Sequence, residues 1–363
     1  MAKLVCVAHY EEKCKGIISK PALDYYRVGS GEEETLKRNK EAFKKLRIRP
    51  RVLRNVENID MSVNIFGHKL EWPVGISPSA MQKMAHPEGE VASARAAGKA
   101  GSLFILSSAS TTSLEEVAEK APDTYKWFHL YIFKDRNITE NLVRRAEKAG
   151  YKALVLTVDQ PVFGLRRIET FELPAHLNLA NFANITKDGK DLSDTSSGLA
   201  QYTADMFDAT MTWKDIEWFT KFTKLPVILK GILTKEDAIL ALNHGCKGII
   251  VSNHGGRQFD GVPSSIEVLP EIVDAVGKEM LVTFDSGVYL GVDAFKALAL
   301  GAKMVFLGRA VLWGLGVDGQ KGVEDVLSII RNELSVSMAL AGSSKIDEIR
   351  KDMVVHENYF SKL

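Results

Sequence analysis

The residues of this chain that could do chemistry cluster directly after short apolar runs. In chain order they are Pro78 with Ser79, Ser107 with Ser108, His129 and Tyr131, Thr157 and Asp159, Lys230, Ser252 with His254 and Arg257, Asp285, and Gly308 with Arg309. His254 is a candidate base, because imidazole titrates near neutral pH, and Asp159 is a carboxylate that could stabilise its charged form. Lys230, Arg166 and Arg257 suit anionic groups, and a guanidinium fork matches a carboxylate with two parallel donors. Arg167 could exchange roles with its neighbour Arg166, which is preferred. Tyr131 adds a phenol. Near the C-terminus, FDSGVYLGVD and FLGRAVLWG each carry glycine at the end of an apolar run and lead into a helical pattern. Backbone N–H groups at such turns bind phosphate, and two such turns followed by Arg309 point to a phosphorylated ligand.

Eight apolar runs must position these groups: WPVGIS from Trp72, LFILSS from Leu103, WFHLYI from Trp127, ALVLTV from Ala153, PVILKG from Pro226, GIIVSN from Gly248, LVTFDS from Leu281 and MVFLGR from Met304. Their continuous apolarity predicts strands buried on both faces, as in a parallel sheet covered by helices. Helical patterns lie between them. In NITENLVRRAEKAG the apolar residues share one face and Gly150 ends the element; in TKEDAILALNHG, Thr234 is the expected N-cap and Gly245 the stop. Eight βα units read most simply as a (β/α)8 TIM barrel, with a doubly wound sheet as the alternative. In a barrel the site lies at the C-terminal strand ends and phosphate near strands seven and eight. After Asp159 a polar stretch of about fifty residues precedes the helix at Trp213, far beyond an ordinary βα loop, and reads as a lid over about 160–212. The chain is expected to be one domain, with an N-terminal helical segment over 1–70, the barrel over 71–345 and a C-terminal tail over 346–363. Between Leu36 and Asn55 lie nine Lys or Arg residues and one acid, Glu41. A phosphate site is one reading of that run; the solvated face of a helix beside the barrel is the better one, since Leu36, Phe43 and Leu46 recur at helical spacing.

The 363 residues carry 47 Lys plus Arg against 46 Asp plus Glu, a net charge of +1, so no global field favours nucleic acid or an anionic membrane. Cys6, Cys14 and Cys246 have no paired spacing, which speaks against a disulfide framework or a zinc site and suits a reducing compartment; no metal is expected. The N-terminus lacks an apolar signal core, and no run approaches a membrane span. Ser361-Lys362-Leu363 reads as a peroxisomal address, recognised by the import receptor.

At SNHGGRQFDGVP the chain closely resembles the FMN-dependent 2-hydroxy-acid oxidases, the group that includes glycolate oxidase and related lactate- and mandelate-oxidising enzymes. The resemblance extends through ALDYYRVGSGEEETL, AMQKMAHPEGE, LYIFKDR, LTVDQP, LKGI and FKALALGAKMVFLGR. It implies a single FMN-binding barrel that oxidises (S)-2-hydroxy acids to 2-oxo acids, passes electrons to O2 and releases hydrogen peroxide, as a homotetramer. It gives His254 the role of base with Asp159 behind it, Arg166, Arg257 and Tyr25 the substrate carboxylate, and Tyr131 the substrate oxygen. Lys230 would stabilise the anionic reduced flavin. The cofactor would also meet Pro78, Ser79, Ala80, Ser107, His129, Tyr131, Thr157, Ser252 and Asp285, with its phosphate near Ser286, Gly287, Val288, Tyr289, Gly308 and Arg309.

The chain departs from the family pattern at several points. His129 stands where the family usually has Gln, and Ser286 and Tyr289 where many members have Gly and a phosphate-contacting Arg. After Arg167 the stretch IETFELPAHL is a few residues shorter, and Ala109 replaces a large aromatic common in glycolate-oxidising relatives. An active oxidase is the favoured expectation; a catalytically weakened flavin-binding or partner-binding paralogue is the alternative.

Overall fold

The structure, a computed structural model, describes residues 4–168, 173–183, 185–187, 190–191, 202 and 205–362. Eight parallel strands close into a barrel: β1 Val74–Ile76, β2 Leu103–Ser107, β3 Tyr125–Leu130, β4 Leu154–Thr157, β5 Val227–Ile232, β6 Gly248–Val251, β7 Leu281–Phe284 and β8 Val305–Leu307. The last strand pairs with the first, from Val305 against Val74 to Leu307 against Ile76, which decides for the barrel over the doubly wound sheet. Three helices precede it: α1 Val7–Lys15, α2 Lys20–Arg27 and α3 Glu34–Lys44. A helix follows each strand: α4 Gly89–Lys99, α5 Leu114–Lys120, α6 Arg136–Lys148, α7 Trp213–Phe222, α8 Lys235–Asn243, α9 Ser265–Val276, α10 Gly291–Ala299 and α11 Arg309–Ala341, the last kinked at Asp318 and Gly319. Thr234 caps α8, its hydroxyl accepting from the Asp237 N–H at 3.2 Å.

The strands are apolar throughout because both faces are covered, and the period of two sorts their residues between two cores. Leu103 and Ile105, Tyr125 and Trp127, Ala153 and Val155, Ile228, Ile250, and Met304 and Phe306 fill the barrel interior. Phe104, Leu106, Phe128, Leu130, Leu154, Leu156 and Ile249 face the helices. Burying one such Leu- or Phe-sized side chain is worth roughly 1.5–3 kcal/mol, so the two cores dominate the stability of the scaffold.

The N-terminal segment is not purely helical. After α3, Leu46–Ile48 pairs antiparallel with Val354–His356, tying the C-terminal tail into the fold. A hairpin of Val63–Ile65 and His68–Leu70 sends Ile65 and Leu70 into the barrel interior and plugs its N-terminal end. The basic run is therefore helical only as far as Lys44, where Lys37, Arg38, Lys40 and Lys44 are exposed while Asn39, Ala42 and Phe43 are buried. Beyond Lys45 it becomes strand and loop.

The stretch after β4 carries more apolar anchors than its polar composition suggests. Leu179, Phe182, Tyr202, Met206 and Phe207 are buried. Asn181 pins it to the barrel: its amide donates to the Ser108 carbonyl at 2.9 Å and its oxygen accepts from the Leu114 N–H at 2.8 Å. The cysteines are free, and burial pushes the Cys246 thiol up to about 12, so it is unreactive. Among the described residues no helix is long and apolar enough to cross a membrane. Leu363, the last residue of the expected peroxisomal address, lies outside the described residues.

Candidate active site

The inward alternation that fills the barrel, continued one step toward the C-terminal strand ends, produces the site. Ser77, Ser107, His129, Thr157, Lys230, Ser252 and Asp285 stand two residues beyond Gly75, Ile105, Trp127, Val155, Ile228, Ile250 and Thr283, and all are buried. They are polar because the layer above the apolar core must bind something other than hydrocarbon. Lys230 donates to Ser252 Oγ at 2.9 Å and its Nζ lies 3.4 Å from Asp285 Oδ2. Ser77 and Ser286 donate to the same carboxylate at 2.8 and 2.9 Å. Burial pushes the Asp285 carboxyl up, but the Lys230 cation and these hydroxyls outweigh it and hold the group below its ordinary value. Lys230 thus projects a fixed positive charge at the centre of the barrel mouth.

His254 follows β6 in a left-handed conformation, with φ 58°, continued by Gly255 and Gly256 at 67° and 73°. A left-handed non-glycine residue costs on the order of 1 kcal/mol or more, and here the turn aims the imidazole over the barrel mouth. Its Nδ1 lies 2.8 Å from Asp159 Oδ1, leaving Nε2 as the nitrogen available to a ligand. Asp159 gains its position from a bulge in β5 at Gly231, where φ is 109° and a Cβ would stand 2.5 Å from the Asp159 Cβ. Burial lowers the His254 pKa, Asp159 raises it and Lys230 lowers it again, with a net value below that of free histidine. The ring is therefore neutral, and a competent base, at physiological pH.

Arg257 donates to the backbone carbonyls of Tyr25, Val28 and Tyr26, at 2.7, 3.0 and 3.3 Å, and lies over the Tyr25 ring. Arg166 lies over the Phe163 ring, 4.2 Å from its centre, and only 3.4 Å separates its Nε from the Arg257 carbonyl. Burial, and then the neighbouring Arg257, disfavour the charge on Arg166. Among the described residues neither guanidinium has a carboxylate partner, so the pair is poised for an anion. Arg167 instead points outward and pairs with Glu32 at 2.5 Å. Tyr131 donates to Gln160 Oε1 at 3.1 Å, and burial pushes its phenol pKa up, so it stays protonated.

One cleft, enclosing about 1280 Å³ with its open mouth included, brings these groups together with Pro78, Ser79, Ala80, Ala109, Ser286, Gly287, Val288, Tyr289, Gly308 and Arg309. Of the residues expected from sequence, Ser252 and Asp159 lie off its wall, each held behind a lining residue: Ser252 by Lys230 and Asp159 by His254. The cleft is also lined by Ser77, Met81, Gln160, Phe163, Leu179, Tyr202 and Phe207, which sequence reasoning missed. The alternation of β1 could have revealed Ser77; the residues after β4 carried no comparable signal.

The residues fit FMN. Buried His129 hydrogen-bonds Thr157 Oγ1 through Nε2 at 2.7 Å, but its Nδ1 is buried with no partner among the described residues, an arrangement that costs free energy until a polar ring edge completes it. Burial, with Lys230 and His254 nearby, holds His129 well below the ordinary histidine value, hence neutral. At the other end, Ser286 and Gly287 both have φ of 85°, Gly308 leaves open space where a Cβ would be, and α11 starts at Arg309, a cradle suited to phosphate.

The model of the FMN-dependent dehydrogenase family matches residues 14–356. The chain belongs to that family. FMN is its cofactor, and the protein is an oxidoreductase. It is similar to 2-hydroxyacid oxidase 1 of Homo sapiens, 45% identical over 359 residues that cover 98% of this chain and 97% of the relative. Glycolate oxidase 1 of Oryza sativa subsp. indica is 47% identical, covering 97% and 95%. A crystal structure of mandelate oxidase with (S)-4-hydroxymandelic acid has a TM-score of 0.88 at 38% identity, covering 96% of this chain and 98% of that one. Within this FMN-dependent dehydrogenase, Lys230, His129 and Thr157 would hold the flavin ring and the β7 and β8 turns its phosphate.

Proposed function

We propose that this protein oxidises an (S)-2-hydroxy acid to the 2-oxo acid, with O2 as electron acceptor and hydrogen peroxide as product. The observation that carries the reading is the neutral His254, backed by Asp159, in one cleft with two arginines that have no carboxylate partner among the described residues. Arg166 and Arg257 bind the substrate carboxylate, Tyr25 assists, and Tyr131 contacts the hydroxyl that becomes the carbonyl. His254 takes a proton from the substrate through Nε2, and Asp159 stabilises the imidazolium that results. FMN supplies the acceptor for the electron pair. The test is anaerobic mixing with a panel of 2-hydroxy acids: the yellow protein should bleach, and peroxide should appear on admitting air. A colourless protein that cannot be reconstituted with FMN would favour the weakened paralogue instead.

The pH dependence follows from the pair. His254 works deprotonated, so kcat/KM falls as pH drops through its pKa, and the acidic limb is expected below the ordinary histidine value of about 6.5. Asp159→Asn removes the carboxylate that raises this pKa, so the limb should move to still lower pH while kcat falls. A limb that stays in place or moves up would contradict the coupling.

The substrate is proposed to be larger than glycolate. Ala109 leaves room beside an apolar wall of Leu179, Tyr202 and Phe207, the last stacked on Tyr131 with ring centres 4.1 Å apart. Ala109→Trp should lower kcat/KM for a longer or aromatic 2-hydroxy acid by about tenfold or more relative to glycolate. A peroxide assay on both substrates checks the ratio. A peroxide-forming reaction suits a peroxisome, and Ser361-Lys362-Leu363 supports import where it forms the free C-terminus; the family resemblance supports a homotetramer.

A further inference from the structure

The turn after β7 is met from behind by the N-terminal helices. Gly287 lies so close to α3 that a Cβ on it would stand 2.3 Å from the Asn39 carbonyl oxygen. One residue further along α3, the Lys40 ammonium sits 3.9 Å from the centre of the Tyr289 ring, where the negative face of the ring attracts it. A small second cavity opens on this side, sharing Gly287, Tyr289 and Arg309 with the main cleft and lined by Lys40, Arg27 and Glu11. Arg309 is largely committed to the fold: it donates to the carbonyls of Tyr26, Gly255 and Val28. Glu11 is a weak competitor for Lys40, 4.0 Å away.

We propose that Lys40 is a phosphate-binding cation of the cofactor site, placed by the Tyr289 ring. Of the basic run at the start of the chain, this lysine alone is docked against the proposed cradle; its neighbours on α3 face solvent as a helix surface ordinarily does. Because α3 brings the charge, tight FMN binding depends on the N-terminal helices being seated on the barrel. The inference rests on the phosphate placement proposed above.

Apoprotein is titrated with FMN and with riboflavin, which lacks the phosphate, by quenching of flavin fluorescence at low and high salt. Lys40→Met should weaken FMN about fivefold at low salt, since the side chain is 45% exposed and partly screened, and leave riboflavin unchanged. The salt dependence of FMN binding should shrink, Lys40→Arg should restore affinity, and Glu11→Gln should tighten FMN. Equal losses for FMN and riboflavin would mark a structural role and overturn the inference, as would an unchanged preference for FMN. A wild-type protein that binds riboflavin as tightly as FMN would overturn the phosphate placement and the inference with it.

Discussion

His254→Ala is expected to slow reduction of the bound flavin by 2-hydroxy acid by about 10²–10⁴-fold while FMN stays bound. The size follows from geometry. His254 is held at 2.8 Å by Asp159, with Nε2 as its remaining ring nitrogen, so its loss removes the proposed base and leaves Lys230, His129 and Thr157, the proposed seat of the flavin ring, untouched. Stopped-flow bleaching under anaerobic conditions measures the rate, and the visible spectrum before mixing reports bound FMN. Reduction within a fewfold of wild type would show that another group takes the proton.

The second large effect is expected at Lys230. Its side chain and that of Asp285 are 6% and 8% exposed, so Lys230→Met would leave a buried carboxylate without its cation. Breaking a buried pair from one side costs on the order of 3–5 kcal/mol, because the remaining charge keeps its desolvation penalty without the compensating attraction. Thermal unfolding should show a large loss of stability together with loss of FMN. The double change Lys230→Met with Asp285→Asn separates the two roles: it removes the unpaired charge and should recover most of the stability, but not flavin reduction, since the cation at the centre of the barrel mouth, proposed to stabilise the reduced ring, would be gone. Recovery of normal reduction in the double variant would show that Lys230 serves the fold alone. Because burial pushes Asp285 toward the neutral form while Lys230 holds its pKa below the ordinary value, the pair's stabilisation is present above the ordinary carboxylate pKa. It is lost as pH falls through the depressed folded value, which places acid sensitivity in the same network.

The barrel and its polar mouth were legible because two rules act locally. Strands buried on both faces must be apolar throughout, and the period of two carries Ile105 to Ser107, Trp127 to His129 and Ile228 to Lys230 without reference to anything distant. The hairpin that plugs the barrel floor was not legible, since VNI and HKL are too short to separate from a loop and are defined by their contacts with Tyr125 and its neighbours. The expected lid over about 160–212 lies in part outside the described residues. Of the described ones, Leu179, Tyr202 and Phe207 sit in a stretch whose composition reads as loop, yet they are buried and line the cleft.

From sequence alone come the fold class, the family, the candidate pair His254 and Asp159 and the glycine turns after the last two strands, because each is written in residue type at a fixed local spacing. Tertiary structure decided what spacing cannot: that Arg166 rather than Arg167 turns inward, that the tail pairs with Leu46–Ile48, and that Lys40 from a solvated helix docks on the Tyr289 ring. Each of these depends on segments far apart in the chain meeting in space. Their meeting is fixed by packing against the barrel, and no local pattern records it.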